Sequence, residues 1–209
     1  MNNAVCDLPG GLRVAPTAVP LPQQPAPAGL DELVLAGGCF WCTEAVFAAL
    51  AGVLSVESGY VGGTAETAEY RRVCAGDTGH AEAIRLRFAP AQISAGQLLQ
   101  IFFSVAHDPT QKDRQGHDRG RQYRSAVFFH DEAERQYVAD YIEALNRAGV
   151  FAAPIATTLE PLTTFFRAEE YHQRYALRNP WQPYIQAVAV PKMEKLRDYF
   201  AAQLKTDEE

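Results

Sequence analysis

The chain switches repeatedly between two hydrophobic periods, and each switch marks an element. The unbroken apolar run Leu33-Val34-Leu35-Ala36 predicts a strand over 33–37, and Thr43-Glu44-Ala45-Val46-Phe47-Ala48-Ala49-Leu50 predicts a helix over 42–50. A second strand is expected over 53–60, carried by Val53, Val56 and Tyr60. Over 81–88, Ala83, Arg85 and Arg87 alternate with Ile84, Leu86 and Phe88, the period-2 pattern of a strand. Ser94 stands as an N-cap before a helical stripe of Leu98, Leu99, Ile101, Phe102 and Val105, which predicts a helix over 95–106. A strand over 124–130 follows, and then a helix over 132–148, capped by Asp131 and closed by Gly149. A strand near 155–160 and a helix over 191–204, with Pro191 in its first turn, complete the pattern.

From 33 to 130 the order is β-α-β-β-α-β, the split βαβ arrangement of ferredoxin-like folds. The fold class expected is therefore α+β: a two-layer sandwich in which helices pack on a mixed sheet with a ferredoxin-like βαββαβ core. Two long polar loops with glycines, 61–80 and 107–123, interrupt the pattern. Long ordered loops in a compact domain usually carry function.

Residues 1–30 hold six of the 13 prolines with Ala and Gln between them, and are expected to lie extended or partly disordered. Residues 31–209 are expected to form a single catalytic domain. The net charge of −6 with no basic run weighs against nucleic acid as a partner. No apolar stretch reaches the length of a membrane span, and the N-terminus lacks the features of a secretory signal. Four cysteines in 209 residues do not make a disulfide scaffold, so they are read as reactive, redox or metal-binding thiols in a reducing cytoplasm. The protein is expected to be a monomer.

The densest chemistry lies in Gly37-Gly38-Cys39-Phe40-Trp41-Cys42. A thiol at a helix N-terminus meets unpaired N–H groups and the positive end of the macrodipole, both of which favour the thiolate. Cys42, three residues on, has three readings: half of a dithiol redox pair, half of a zinc site completed by Cys74 and His80, or a small buried side chain. The bulky Phe40-Trp41 between the thiols disfavours zinc. Because these rings are adjacent, one helix face cannot bury both, so at least one should border the Cys39 pocket.

Glu82 sits where the loop enters a strand. A carboxylate there is ordinarily solvated, but in a partly apolar pocket its pKa would rise and it would donate a proton. In the second loop, Asp118 and Tyr123 could hydrogen-bond a polar substrate atom. His80 is read as a loop brace, His107 as a helix terminator, and His130 and His172 as structural. The competing functions on these residues are a thiol–disulfide oxidoreductase and a zinc-bearing binding module.

Five spaced motifs then converge. Gly-Cys-Phe-Trp-Cys-Thr-Glu, Gly59-Tyr60-Val61-Gly62-Gly63, Gly79-His80-Ala81-Glu82, His107-Asp108-Pro109-Thr110 and Gln122-Tyr123-Arg124-Ser125 occur in the order of one family. From about Leu33 to Phe200 the chain resembles the A-type peptide methionine sulfoxide reductases, which have an α+β sandwich and act on the S epimer. The resemblance implies that Cys39 attacks the sulfoxide sulfur, that Phe40 and Trp41 wall the substrate methyl, and that Glu82 protonates the oxygen. It further implies that Tyr70 and Tyr123 hydrogen-bond that oxygen, with Asp118 lining the pocket. The product would be methionine and a Cys39 sulfenic acid, which a second thiol resolves as a disulfide for thioredoxin or another thiol to reduce. The substrates implied are oxidised proteins or free methionine sulfoxide, and no cofactor is called for. The tail after Tyr184 has no cysteine, so the resolving thiol is left among Cys42, Cys74, Cys6 and an external one.

Overall fold

The computed structural model describes residues 14–206. Six strands form its main sheet in the order β7-β6-β1-β3-β2-β8. They are β1 (Glu32–Gly37), β2 (Val53–Val61), β3 (Ala81–Phe88), β6 (Ser125–Phe129), β7 (Thr158–Pro161) and β8 (Phe166–Arg167). A small hairpin, β4 (Arg114–Gln115) with β5 (Asp118–Arg119), stands apart. The helices are α1 (Phe40–Ala48), α2 (Tyr70–Cys74), α3 (Ala95–Ile101), α4 (Glu132–Arg147), α5 (Tyr175–Arg178) and α6 (Val190–Phe200).

The βαββαβ core is present as β1-α1-β2-β3-α3-β6. Its four strands are all antiparallel to their neighbours, and the sheet is mixed only because β7 joins β6 in parallel. The unbroken apolar run of β1 follows from burial on both faces. Leu33 and Leu35 join Ile84, Leu86 and the helices in the main core, whereas Val34 and Ala36 join Ala83, Ala126 and Phe128 on the other face. Leu162 and Phe165 cover that second face. The Phe165 ring lies so close to β2 that a Cβ on Gly59 would stand 2.3 Å from it. Only glycine fits there.

Both predicted N-caps act locally. The Ser94 hydroxyl accepts from Gln97 N at 3.2 Å while the Gln97 side chain accepts from Ser94 N, a full capping box. Asp131 accepts from Glu134 N at 2.9 Å.

Three expectations need correction. The helix expected over 95–106 is α-helical only to Ile101, and Phe102–Ala106 continues it as a π-helical turn. The loops expected over 61–80 and 107–123 contain α2 and the β4–β5 hairpin, elements too short for any period to reveal. Folded structure also starts well before residue 31. Val19 is fully buried in the main core, Gln100 Nε2 donates to Val19 O at 2.5 Å, and Tyr141 OH donates to Pro20 O at 2.6 Å. A proline-rich chain has few backbone donors to offer, but its carbonyls dock it together with Val19, Val14, Ala26 and Leu30, which pack on the core.

Candidate active site

β1 ends at Gly37, and the chain turns through Gly38 (φ +84°) into Cys39, the N-cap of α1. A Cβ at Gly38 would lie 2.5 Å from the Gln115 side chain, so this turn needs glycine for both its dihedral and its space. Cys39 has φ −55° and ψ 122° and makes no side-chain cap bond. The N–H of Phe40, next along the chain, instead donates to Glu82 Oε2 at 3.0 Å.

Glu82 reaches that position because of strand parity. It shares a face of β3 with Ile84, Leu86 and Phe88, all members of the main core, so its carboxyl points into the helix-covered layer. It is 2% exposed. Burial, reinforced by the charges of Asp118 and Cys42 and offset in part by the Phe40 N–H, pushes its pKa up to about 8. Near neutrality Glu82 therefore holds its proton. The ordinary solvated reading of a strand-end carboxylate does not apply here, and the same parity was visible in the sequence.

A cavity of about 260 Å³ opens beside these groups. All seven residues expected at the site line it: Cys39, Phe40, Trp41, Tyr70 and Glu82, together with Asp118 and Tyr123 from the second loop. Two more, Gln182 and Tyr184, were missed. They belong to an irregular C-terminal stretch in which no period or cap signals a role. The Tyr184 hydroxyl donates to Asp118 Oδ2 at 2.5 Å, a short bond that ties this stretch to β5.

Trp41 is held from three sides. Its Nε1 donates to His172 Nδ1 at 3.0 Å, its ring stacks on Tyr175 with centroids 3.9 Å apart, and Tyr184 meets it edge-on. Burial lowers the pKa of His172, which keeps the ring neutral and able to accept the indole N–H. Tyr70 is placed through Glu169, whose carboxylate accepts from Tyr70 N at 3.0 Å and from Tyr60 OH at 2.8 Å.

The thiols depart from the simple macrodipole expectation. Burial, then the hydrogen bond to Cys42 and the charges of Cys42 and Glu82, push the Cys39 thiol well up. The physical reason is visible in the geometry: Cys39 is only 8% exposed, and the Phe40 N–H of the α1 terminus is already engaged by Glu82. Cys42 is pulled down, chiefly by the hydrogen bond from Cys39 and also by the Lys192 ammonium. Cys42 is fully buried under Cys39 among Ile185 and Ala189. Cys74 is exposed at the end of α2, one helical turn from Tyr70. Cys6 lies outside the described residues.

His80, considered above as a zinc ligand, has both ring nitrogens engaged. Nδ1 accepts from Gly63 N at 3.2 Å and Nε2 bonds Thr64 O at 3.0 Å, which braces the loop leading to Glu82. Among the described residues no group of three or more His, Cys, Asp or Glu side chains is arranged to hold a metal ion, and no helix is long and apolar enough to cross a membrane.

A family model described as peptide methionine sulfoxide reductase matches residues 31–204. The chain belongs to the peptide methionine sulfoxide reductase family. It is 51% identical to the peptide methionine sulfoxide reductase MsrA of Deinococcus radiodurans, over 85% of this chain and 86% of that protein. It is 47% identical to the MsrA of Trichodesmium erythraeum, over 84% and 98%. Among solved structures it is similar to reduced Mxr1 from Saccharomyces cerevisiae, with a TM-score of 0.65 and 33% identity over 79% of this chain and 94% of that one. It is also similar to methionine sulfoxide reductase A of Corynebacterium diphtheriae, with a TM-score of 0.61 and 30% identity over 77% and 86%. The protein is thus an oxidoreductase that reduces methionine sulfoxide, on an α+β sandwich.

Proposed function

We propose that this reductase acts on the S epimer of methionine sulfoxide, with Cys39 as nucleophile and Glu82 as general acid. The observation that carries this reading is the pairing of a protonated, buried carboxyl with the turn that bears Cys39, one carboxyl oxygen fixed on Phe40 N–H and both residues lining one cavity. A sulfoxide is strongly dipolar. Its methyl fits the wall of Phe40 and Trp41, and its oxygen needs donors, which the hydroxyls of Tyr70 and Tyr123 supply. Burial raises both tyrosine pKa values, so these hydroxyls stay protonated. Asp118 lines the pocket and orients Tyr184.

In the reaction the Cys39 sulfur bonds to the sulfoxide sulfur while the Glu82 proton passes to the oxygen. That oxygen, now a hydroxyl, passes from the substrate sulfur to the Cys39 sulfur as the substrate S–O bond and the transient S–S bond both break, leaving a Cys39 sulfenic acid and methionine as the sulfide. The sulfoxide gains two electrons and Cys39 loses two; the proton shed by the Cys39 thiol restores Glu82. The raised pKa keeps Cys39 a thiol at rest, so its proton must leave as the sulfur bonds, and the Glu82 carboxylate left after protonating the oxygen is the base that takes it.

Cys42 is the resolving thiol in this reading. It condenses with the sulfenic acid, releasing water and forming a Cys39–Cys42 disulfide. A regular helix makes an i, i+3 bridge difficult, but Cys39 stands outside α1 as its N-cap with extended ψ, and the two side chains share one small buried cluster with Ile185 and Ala189. Thioredoxin, or another thiol reductant, then restores both thiols. Substrates are oxidised proteins or free methionine sulfoxide, and the domain works alone in the cytoplasm.

Mass spectrometry after limiting substrate without reductant tests the reading. The expected product is a Cys39–Cys42 disulfide, with one sulfoxide consumed per chain. In Cys42→Ser a single stoichiometric turnover should survive with a sulfenic acid on Cys39. Total loss in that variant would favour a dithiol exchange enzyme, and a Cys39–Cys74 or Cys39–Cys6 bridge in the unmodified protein would reassign the resolving thiol.

A further inference from the structure

Among the described residues six large hydrophobic side chains are strongly exposed. Three of them fall within the stretch 170–184: Tyr171 at 55%, Leu177 at 73% and Trp181 at 86%. Single exposed apolar groups are ordinary, but a tryptophan turned almost wholly to solvent next in the chain to a cavity-lining residue is placed to meet what enters that cavity.

The same stretch frames the cavity. Tyr175 stacks on Trp41, and Gln182 and Tyr184 line the opening, so Trp181 is the immediate chain neighbour of a lining residue. Gln182 is already oriented. Its Oε1 accepts from Ile185 N at 2.9 Å, which leaves its amide NH₂ as the donor group toward a ligand.

A methionine sulfoxide within a protein arrives with chain on both sides. Its side chain fits a cavity of about 260 Å³, and the flanking backbone must then cross the mouth. Free methionine sulfoxide carries no such neighbours and leaves this surface uncovered. We propose that the stretch 170–184 is the docking surface for the polypeptide bearing the oxidised methionine, with the Trp181 indole as its apolar anchor and the Gln182 amide as a donor to the peptide carbonyl. The proposal rests on the reading of the cavity as the sulfoxide site. It makes Trp181 a specificity-determining residue: it sets how strongly the enzyme prefers polypeptide over the free amino acid. The partner implied is an unfolded or locally exposed segment with an apolar residue beside the oxidised methionine.

The test uses the full chain with dithiothreitol as reductant. Two substrates are compared: a pentapeptide with a central methionine S-sulfoxide flanked by leucines, and free methionine S-sulfoxide. In Trp181→Ala the ratio of kcat/KM for peptide over free amino acid should fall about tenfold, the scale of one aromatic anchor at an interface, and through the KM of the peptide. Trp181→Phe should retain most of the ratio, and Leu177→Ala should lower it less. Leu54, 67% exposed near the start of β2, serves as a control, and Leu54→Ala should leave the ratio as it is. Circular dichroism checks that each variant is folded. An unchanged ratio in Trp181→Ala, or an equal loss on both substrates, would overturn the proposal. So would a defect appearing only when thioredoxin replaces dithiothreitol, since that would give the surface to the reductant. If the unmodified enzyme turned over neither substrate, the reading of the cavity itself would fall, and the docking surface with it.

Discussion

The N-terminus of α4 is satisfied from its own sequence; that of α1 is satisfied from across the sheet. Asp131 reaches three residues forward to Glu134 N, and Ser94 does the same to Gln97 N for α3. These caps are short-range and wet, and they serve the helix alone. At α1 the N-cap is Cys39, whose side chain caps nothing, and the Phe40 N–H is taken by Glu82, 42 residues further on. The consequence is chemical. A carboxyl carried on the core face of β3 is desolvated, keeps its proton up to about pH 8, and is fixed beside the turn that bears Cys39. On the proposed mechanism this helix terminus serves chemistry because its partner is a distant, buried residue instead of a neighbouring, solvated one.

The strongest way to break this contrast is Glu82→Gln, which keeps an acceptor for Phe40 N–H but has no proton of the right acidity. Single-turnover reduction at pH 7 should slow by about 10² or more while Cys39 still alkylates. A rate equal to that of the unmodified enzyme would reduce Glu82 to a structural cap, no different in kind from Asp131.

A second test uses pH. The folded pKa of Glu82 is raised from an ordinary 4.5 to about 8, so its proton is held more tightly folded than unfolded. The single-turnover rate should therefore decline as pH rises through about 8. Folding stability should be lost as pH rises from about 4.5 to 8, because over that range the unfolded chain releases the proton that the folded state still holds. In Glu82→Gln that loss should disappear, so the variant melts higher than the unmodified protein at pH 9. A lower Tm for the variant at pH 9 would show that the buried carboxylate is better solvated than its surroundings suggest.

The local caps should behave oppositely. Asp131→Ala should cost about 1 kcal/mol of stability, lowering Tm by about 2–4 °C for a chain of this size, with no change in single-turnover rate. A large activity loss would mean that α4 is coupled to the site.

The smallest expected effect is at His130, just outside α4. Glu134, with its hydrogen bond at 2.8 Å, and Glu32 raise its pKa to about 9. The stability it adds is present below its ordinary 6.5 and is lost as pH rises through about 9. His130→Gln should flatten the decline of Tm across that window slightly, and no flattening would show that solvent screens the pair.

Much of this was legible beforehand wherever the cause is local. The strand over 81–88, the caps at Ser94 and Asp131 and the nucleophile turn at Cys39 are written in periods and in residues a few positions apart. The parity that sends Glu82 inward was readable too, since it shares its face with Ile84 and Leu86. Gln182, Tyr184 and the anchored arm around Val19 were not readable. They lie in stretches with no period, and what places them is contact with surfaces made elsewhere: Asp118 meeting Tyr184, and Gln100 and Tyr141 meeting the carbonyls of Val19 and Pro20.

The sequence by itself determined the order of the long elements and the sheet's βαββαβ core, through short-range periodicity, while the resemblance of its five spaced motifs supplied the family and the side chains suited to sulfoxide chemistry. Only the tertiary structure decided their state of charge and their company: that the inward Glu82 is desolvated and protonated, that Cys39 rests as a raised thiol over a lowered Cys42, and that an exposed tryptophan stands next in the chain to a residue lining the cavity. Desolvation and long-range hydrogen bonds set those properties, and both depend on which distant segments the fold brings together.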